Sequence, residues 1–513
     1  MLSLISPHRF GREQGGNFAS VFALSLIPML ALGGFGIDYG TNLAVQAKAQ
    51  NAVDATILTL GKLQTSVTDD ELQRKADLQV RSLLIDSRVQ SMAVTAKRDV
   101  DTIRVQLTGT TPATLTKIMG FRSLPLRVSG TVKRGTGNLE VALVLDNTGS
   151  MKGAKLTNLK AAANDLVGSM FAEVDPAKPN SLKMAVVPFS MTVNIGSAYA
   201  KSAWMDTDAK SSIHKEVFAV KDATANRFTL FGNMKVNWAG CVESRPYPYD
   251  VREAPPTIAT PDTLYVPFFA PDESDQDNDR VNDYMNDYPS GTWNQSSNDR
   301  TRQSQIAKYA KNSINVSASS TQAGTGYRYG PNSGCEIQPL TRLTASKATV
   351  TDAINAMTII GDTNIAMGLL WGWHVLSPNA PFSDGVAYTD EKTQKFAILM
   401  TDGANQTATA ASDNRSYYSG IGFVWANRLG TTSNDMAART AAMDARTAEL
   451  CTNMKAAGIQ IYTVRVEVSQ GTSDLLKNCA SSPTMFYDVQ NSANLTEVFR
   501  SIGSSINELR IYK

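Results

Sequence analysis

Residues 18 to 37, FASVFALSLIPMLALGGFGI, carry no charged side chain. Twenty helical residues extend ~30 Å, the depth of a bilayer hydrocarbon core. The run is longer than the roughly 7–15 apolar residues of a signal-peptide core, and no A-x-A cleavage pattern follows it directly. It predicts an uncleaved single-pass transmembrane anchor; a cleaved signal and a buried core helix are the alternatives. Arg9 and Arg12 precede it and Asp38 follows, so the positive-inside rule puts 1–17 in the cytoplasm and the rest outside an inner membrane. The stretch 39–64 is Ala-rich and free of Pro and continues the helix. Residues 66–72 interrupt it with Ser, Thr and Asp, and 71–84 resume a helix.

The pattern then changes to period two, the mark of half-buried strands. Met92, Val94 and Ala96 fall on one side, then Ile103, Val105 and Leu107, then Leu126, Val128 and Val132. A long apolar helix with a small antiparallel sheet is a pilin-like plan, here 38–134. Gly135 and Gly137 mark a linker. From 138 to 513, continuous apolar runs alternate with helical stretches. Strands are expected at 139–146, 182–193, 395–403, 459–468 and 484–490. Helices are expected at 155–171, 341–357, after Thr363, at 434–458 up to a stop at Gly458, and at 492–509 with Ser492 or Asn494 near its cap. Strands without alternation are buried on both faces, so the fold class is α/β, a doubly wound, mostly parallel sheet between helices. Two stretches, about 197–340 and about 406–433, lack periodicity. A structureless loop of the first size does not suit a compact domain, so it is read as an ordered insertion.

Length and composition narrow the picture. A chain of 513 residues holds two or three domains. A net charge of +2 with mixed signs gives no nucleic-acid footprint, and 42% hydrophobic residues are too few for a multi-span membrane protein. The four cysteines, Cys241, Cys335, Cys451 and Cys479, form no C-x-x-C pair and lie in the part expected to be exported, where disulfides persist. The sequential pairs Cys241–Cys335 and Cys451–Cys479 are expected, because each brackets one continuous region.

The candidate chemistry lies where the strand LEVALVLD stops in the turn NTGS. Ligands bind at the carboxyl ends of strands in an open parallel sheet. Asp146 ends the first such strand, and the turn sets Thr148 and Ser150 beside it. Oxygen donors of this kind suit a hard divalent cation. Thr363, ahead of a helix, and Asp402, closing another buried strand, sit where further donors are expected. The alternative is that Asp146 and Thr363 only cap the helices that follow.

These residues resemble the von Willebrand factor A domain and its metal-ion-dependent adhesion site. The family pattern, Asp-x-Ser-x-Ser, then a distant Thr and a distant Asp, reads here Asp146-x-Thr148-x-Ser150, Thr363 and Asp402, with Thr in place of the first Ser. The resemblance implies Mg²⁺, with Ca²⁺ or Mn²⁺ as alternatives, held by the turn hydroxyls and the distant Thr directly and by the aspartates often through water. It also implies a partner whose carboxylate completes the coordination. Residues 16–60 are similar to the TadE/TadG-like segment of Flp (tight-adherence) pilus assembly proteins, and the whole plan resembles that of TadG-like members. Type IV-type pilins carry a Glu shortly after their processing glycine; here the fifth residue after Gly16 is Val21, which favours a membrane-retained accessory protein over a filament subunit.

Other motifs change little. The stretch 271–287 holds seven acids and one Arg, and Asp275, Asp277 and Asp279 alternate as in a calcium loop. Arg280 and Asn286 stand where that loop needs Gly and Glu, which favours a solvated acidic loop. His374, between Trp371 and Trp373, reads as helix–sheet packing. RPYPYD at 245–250 reads as an exposed contact patch or as packing inside the insertion. No nucleophile elbow, phosphate loop or dinucleotide fingerprint is present, so a non-enzymatic role is expected. Two functions follow: a membrane-anchored pilus-assembly and adhesion protein binding its partner through Mg²⁺, or a structural pilus scaffold or pilin-like subunit with no working metal site.

Overall fold

A computed structural model describes residues 16–511, apart from 62, 64–66, 86, 100–101, 134–136, 220, 222, 276–281, 288–298, 311–313, 315–319, 323–326, 411–412 and 469–473. The chain divides into a first unit up to residue 136 and a second from 137 to 510.

In the first unit, α1 runs from Gly16 to Gly61 and α2 from Asp69 to Leu83. Thr68 caps α2 by accepting from the Glu71 N–H at 3.3 Å, and three acids fill its first turn, where they favour the helix dipole. Strands β1 (Gln90–Arg98), β2 (Thr102–Pro112) and β3 (Ser123–Lys133) pair antiparallel in that order. Ala49, Ala52, Val53, Ile57 and Leu60 of α1 meet Leu72, Ala76 and Val80 of α2 on the face carrying Val94, Ile103, Val105, Leu107, Leu126 and Val128. The period-two residues therefore point as expected. Asp38, the first charge after the apolar run, accepts from the backbone N–H groups of Thr114, Leu115 and Thr116, which fastens the helix to the β2–β3 connection.

The expected span at 18–37 is not supported: among the described residues, no helix is long and apolar enough to cross a membrane. Several side chains of the run, among them Ala23, Ile27, Leu30 and Ala31, lie outside the described residues. Apolar side chains that are described there, such as Val21, Leu24, Met29 and Leu32, are exposed. Arg9 and Arg12 also lie outside the described residues.

The second unit is built on β4 (Asn138–Asp146), followed by α3 (Ala154–Ala172), β5 (Leu182–Phe189), β6 (Val193–Asn194), α4 (Arg227–Asn233), β7 (Cys241–Val242), α5 (Asp299–Gln303) and β8 (Thr341–Thr344). Then come α6 (Lys347–Ala356), α7 (Ile365–Leu376), β9 (Thr393–Thr401), α8 (Met436–Ala456), β10 (Gln460–Val466), α9 (Asp474–Cys479), β11 (Phe486–Val489) and α10 (Leu495–Ile511). The sheet order is β11-β10-β9-β4-β5-β8, parallel except for β8 against β5. Successive β4 residues feed opposite cores. Leu139, Val141, Leu143 and Leu145 meet α3, α6 and α10, while Ala142 and Val144 meet α7 and α8. This explains why the sequence of β4 shows no alternation.

Three local expectations are corrected. Residues 341–344 form the antiparallel edge strand β8, because Thr341 and Thr344 pair with Val186 and Met184, and Ser346 caps α6 behind it. The Asn491 side chain, not Ser492 or Asn494, accepts from the Ala493 N–H at the entry to α10. The short helix α9 was not expected from the pattern.

Both aperiodic regions pack on the α7–α8 face. Phe218, Phe231, Phe269 and Tyr309 from the first form an aromatic cluster, and Tyr418 and Phe423 from the second join the same core through Phe268. Cys241 is bonded to Cys335 and Cys451 to Cys479. The acidic stretch is not a solvated loop where it is described: Asp272 and Asp287 are fully buried around the Lys308 ammonium, at 2.7 and 3.0 Å. Asp277, Asp279 and Arg280 lie outside the described residues. His374 is buried in α7, with Nε2 2.6 Å from the Tyr265 hydroxyl. Tyr247 of RPYPYD is half exposed and lies under the Arg446 guanidinium, 3.8 Å from its ring centre.

Gly372 lets α7 lie close to the sheet. A Cβ there would stand 2.5 Å from the Val144 methyl Cγ2. Gly372→Val is expected to lower stability by ~1–3 kcal/mol through overpacking, read as a fall in the urea midpoint. An unchanged midpoint would mean that α7 can move off the sheet at no cost.

Candidate functional site

Numbered within the second unit, the sheet order is 3-2-1-4-5-6, so the chain reverses its winding between β4 and β9, the position at which open sheets of this kind bind ligands beyond the carboxyl ends of their strands. Asp146 is the last residue of β4, and Asp402 directly follows β9. The register that pairs Leu145 with Met400 puts these two ends side by side.

The turn after β4 folds back on its own carboxylate. Asp146 Oδ1 accepts from the Thr148 N–H at 2.8 Å, and Oδ2 accepts from the Thr401 hydroxyl at 2.6 Å. The Thr148 and Ser150 hydroxyls share a hydrogen bond of 3.0 Å, and Ser150 Oγ donates to Asp402 Oδ1 at 2.6 Å across 252 residues of sequence. Lys155, in the first turn of α3, donates from Nζ to Asp402 Oδ2 at 2.6 Å. Asp146, Thr148 and Asp402 are buried, and Ser150 is exposed.

Thr363 is buried in the loop before α7. The Gly361 carbonyl accepts from the Gly149 N–H at 2.9 Å, and the Thr363 carbonyl accepts from the Gln406 N–H at 2.9 Å. The loop is thus stitched to the turn on one side and to the segment behind Asp402 on the other. Gly361 has φ +67, and a Cβ there would lie 2.1 Å from the Tyr327 hydroxyl, so the first insertion presses on this loop where only glycine fits. The structure joins Asp146, Thr148, Ser150 and Asp402 by direct or shared hydrogen bonds and sets Thr363 in the adjoining loop.

Burial pushes the Asp146 carboxyl up to about 6, against hydrogen bonds from Thr148 and Thr401, and the Asp402 charge adds to the rise. Two neighbouring carboxylates with hydroxyls between them make an all-oxygen donor set of the kind that suits a hard divalent cation. Among the described residues, no group of three or more His, Cys, Asp or Glu is placed to hold a metal ion; this set has two carboxylates and relies on hydroxyls for the rest.

Two contributors were missed from sequence. Thr401, inside the strand expected at 395–403, orients Asp146 through its hydroxyl. Lys155 is the first residue of the helix expected at 155–171. Its signal was legible: a cation in the first turn of a helix opposes the dipole and calls for another partner.

Residues 16–59 match the family model for the putative Flp pilus-assembly TadE/G-like segment. No curated protein matches the chain. Among solved structures, the pilus adhesin SpaC of Lactobacillus rhamnosus GG aligns at 10% identity and TM-score 0.34, covering 82% of this chain and 34% of SpaC. The von Willebrand factor domain of the type V pili tip protein Mfa5 of Porphyromonas gingivalis aligns at 11% identity and TM-score 0.33, covering 74% of this chain and 97% of that one. The pilus adhesin RrgA of Streptococcus pneumoniae aligns at 10% identity and TM-score 0.30, covering 81% of this chain and 50% of RrgA. The chain thus spans about a third of the length of SpaC and half that of RrgA. At these TM-scores the likeness is too slight to assign a fold or a function.

Proposed function

We propose that the chain is an envelope protein of pilus assembly and adhesion, held at the inner membrane by the apolar start of α1. Its second unit is of the von Willebrand A type and engages a partner through a divalent cation, Mg²⁺ first, with Ca²⁺ or Mn²⁺ as alternatives. The pilus setting rests on the TadE/G-like match at 16–59. The metal reading rests on one observation, the 2.6 Å bond from Ser150 to Asp402, which brings the turn after β4 to the end of β9 at the switch point of the sheet. Thr148, Ser150 and Thr363 would hold the cation with Asp146 and Asp402 behind them. When bound, it would offer a docking point for a carboxylate on a pilus component or a surface protein. Thr401 keeps Asp146 turned toward the turn, and burial of the two carboxylates keeps water from screening their charge.

A second reading is a scaffold without a working metal site. The Lys155–Asp402 pair favours it, because an internal cation already answers one of the two carboxylates. Calorimetry of Mg²⁺ into the full chain separates the two: the adhesion reading expects saturable uptake at one site, reversed by chelator, together with chelator-sensitive pilus assembly or adhesion in cells. No uptake would leave the scaffold. The anchor is tested apart from the metal by alkaline carbonate extraction of membranes, where the chain is expected in the pellet; release to the supernatant would remove the anchor alone.

A further inference from the structure

We infer that Lys155 is a tethered competitor for the metal site, so that uptake of a divalent cation and the Lys155–Asp402 pair exclude one another. The inference rests on the metal reading above and adds its regulation. Lys155 Nζ lies 2.6 Å from Asp402 Oδ2, while Ser150 holds Oδ1 of the same carboxylate at 2.6 Å. Both oxygens of Asp402 are thereby occupied by protein donors, and the side chain has no exposure. A carboxylate so enclosed attracts a second cation only as the ammonium withdraws.

The lysine has room and reason to withdraw. Its side chain is 22% exposed, so it reaches solvent without unpacking a core. It sits in the first turn of α3, where the helix dipole repels it, so the pair with Asp402 is what holds it there. A second carboxylate lies within its electrostatic reach. Glu467, directly after β10, is held below the usual carboxylate range first by donors from Ser492 and to a smaller degree by the Lys155 charge. Glu467 accepts from the Ser492 N–H at 2.6 Å, and Ser492 Oγ in turn takes a hydrogen bond of 3.0 Å from Asn158, one turn along α3 from Lys155. A displaced ammonium therefore meets an anion already fixed on the neighbouring strand end. Exchange of Asp402 for Glu467 as the ammonium's partner needs only rotation of the lysine side chain and leaves α3 in place.

Linkage fixes the sign: whatever the pair contributes to the metal-free state is subtracted from metal affinity. With Mg²⁺ alone as probe, calorimetry on the full chain is expected to give Lys155→Met an affinity about 10-fold above wild type, and Lys155→Arg, which keeps the charge, an affinity within about 3-fold of it. An unchanged or weaker Lys155→Met, with wild-type binding intact, overturns the competitor and leaves the metal site standing. Absence of binding in wild type and in a folded Lys155→Met removes the metal reading and the inference together. Amine labelling of the wild type read by mass spectrometry needs no variant to fold: Lys155 is expected to label more with Mg²⁺ saturating than with chelator, and equal labelling at saturation overturns the inference.

Discussion

Asp146→Asn is expected to lower Mg²⁺ affinity by about 100-fold or more, the upper end of what loss of a supporting partner costs a metal site, while the metal-free protein stays as stable as wild type or gains. Asparagine keeps an acceptor for the Thr148 N–H but carries no charge. The charge is what burial opposes. At neutral pH the folded protein holds an ionised Asp146 that burial pushes up to about 6, from 3.8 in an unfolded chain. At ~1.4 kcal/mol per pH unit, that gap amounts to at most ~3 kcal/mol. The folded state binds the proton more tightly, so this part of the stability is present below about pH 4 and is lost as pH rises to about 6. Urea unfolding without metal at pH 4.5 and 7.5 should show that loss in wild type and not in Asp146→Asn. Asp146→Ala should bind no better than Asn and be less stable, since the Thr148 N–H and Thr401 hydroxyl lose their acceptor. Mg²⁺ affinity retained in Asp146→Asn would remove this residue from the site.

The parts of this fold that were legible in the sequence are those set by local periodicity. β2 showed its buried face through Ile103, Val105 and Leu107, and β4 announced burial on both faces by the absence of any alternation. Asp146, Thr148 and Ser150 could be found because a strand, a turn and a helix follow within a few residues. Asp402 could be found because it closes another apolar strand. What brings them together, the order of strands in the sheet, has no local signal; it rests on long-range pairing such as Leu145 with Met400. Lys155 was overlooked because one lysine on an amphipathic helix ordinarily faces water, and its partner lies 247 residues away. β8 was lost for a related reason. Its pairing is confined to Thr344 and Thr341 against Met184 and Val186 at the sheet edge, too short a run to outweigh the helical stretch after it. The acidic stretch misled more plainly, since the cation that buries Asp272 and Asp287 stands 21 residues beyond the latter.

Glu243→Ala is expected to destabilise the second unit by ~3–5 kcal/mol, the range for removing one partner of a buried charge network. Glu243 is buried and accepts from Arg227, Arg428 and the Tyr418 hydroxyl. Burial alone would push its carboxyl up, but the Arg227 and Arg428 guanidiniums outweigh burial and hold it below the usual range. Arg227 also donates to the carbonyls of His214, Ile213 and Pro267 at 2.8–3.1 Å, so it cannot leave with its charge. Arg428 keeps Glu216, with Nε at 2.8 Å, as a second partner. Removal of Glu243 therefore strands Arg227 above all. Glu243→Gln, which keeps acceptor capacity and loses charge, should cost less, ~1.5–3 kcal/mol. The residue ties the first insertion to the second, so the loss should open these before the sheet. Hydrogen exchange should rise around 213–243 and 416–428 while β4 and β9 stay protected. A depressed carboxyl contributes stability above its unfolded value and loses it as pH falls below about 4.5, so wild type and Glu243→Ala should converge in acid. A loss under ~1 kcal/mol at neutral pH would mean that water reaches Arg227 once the carboxylate is gone.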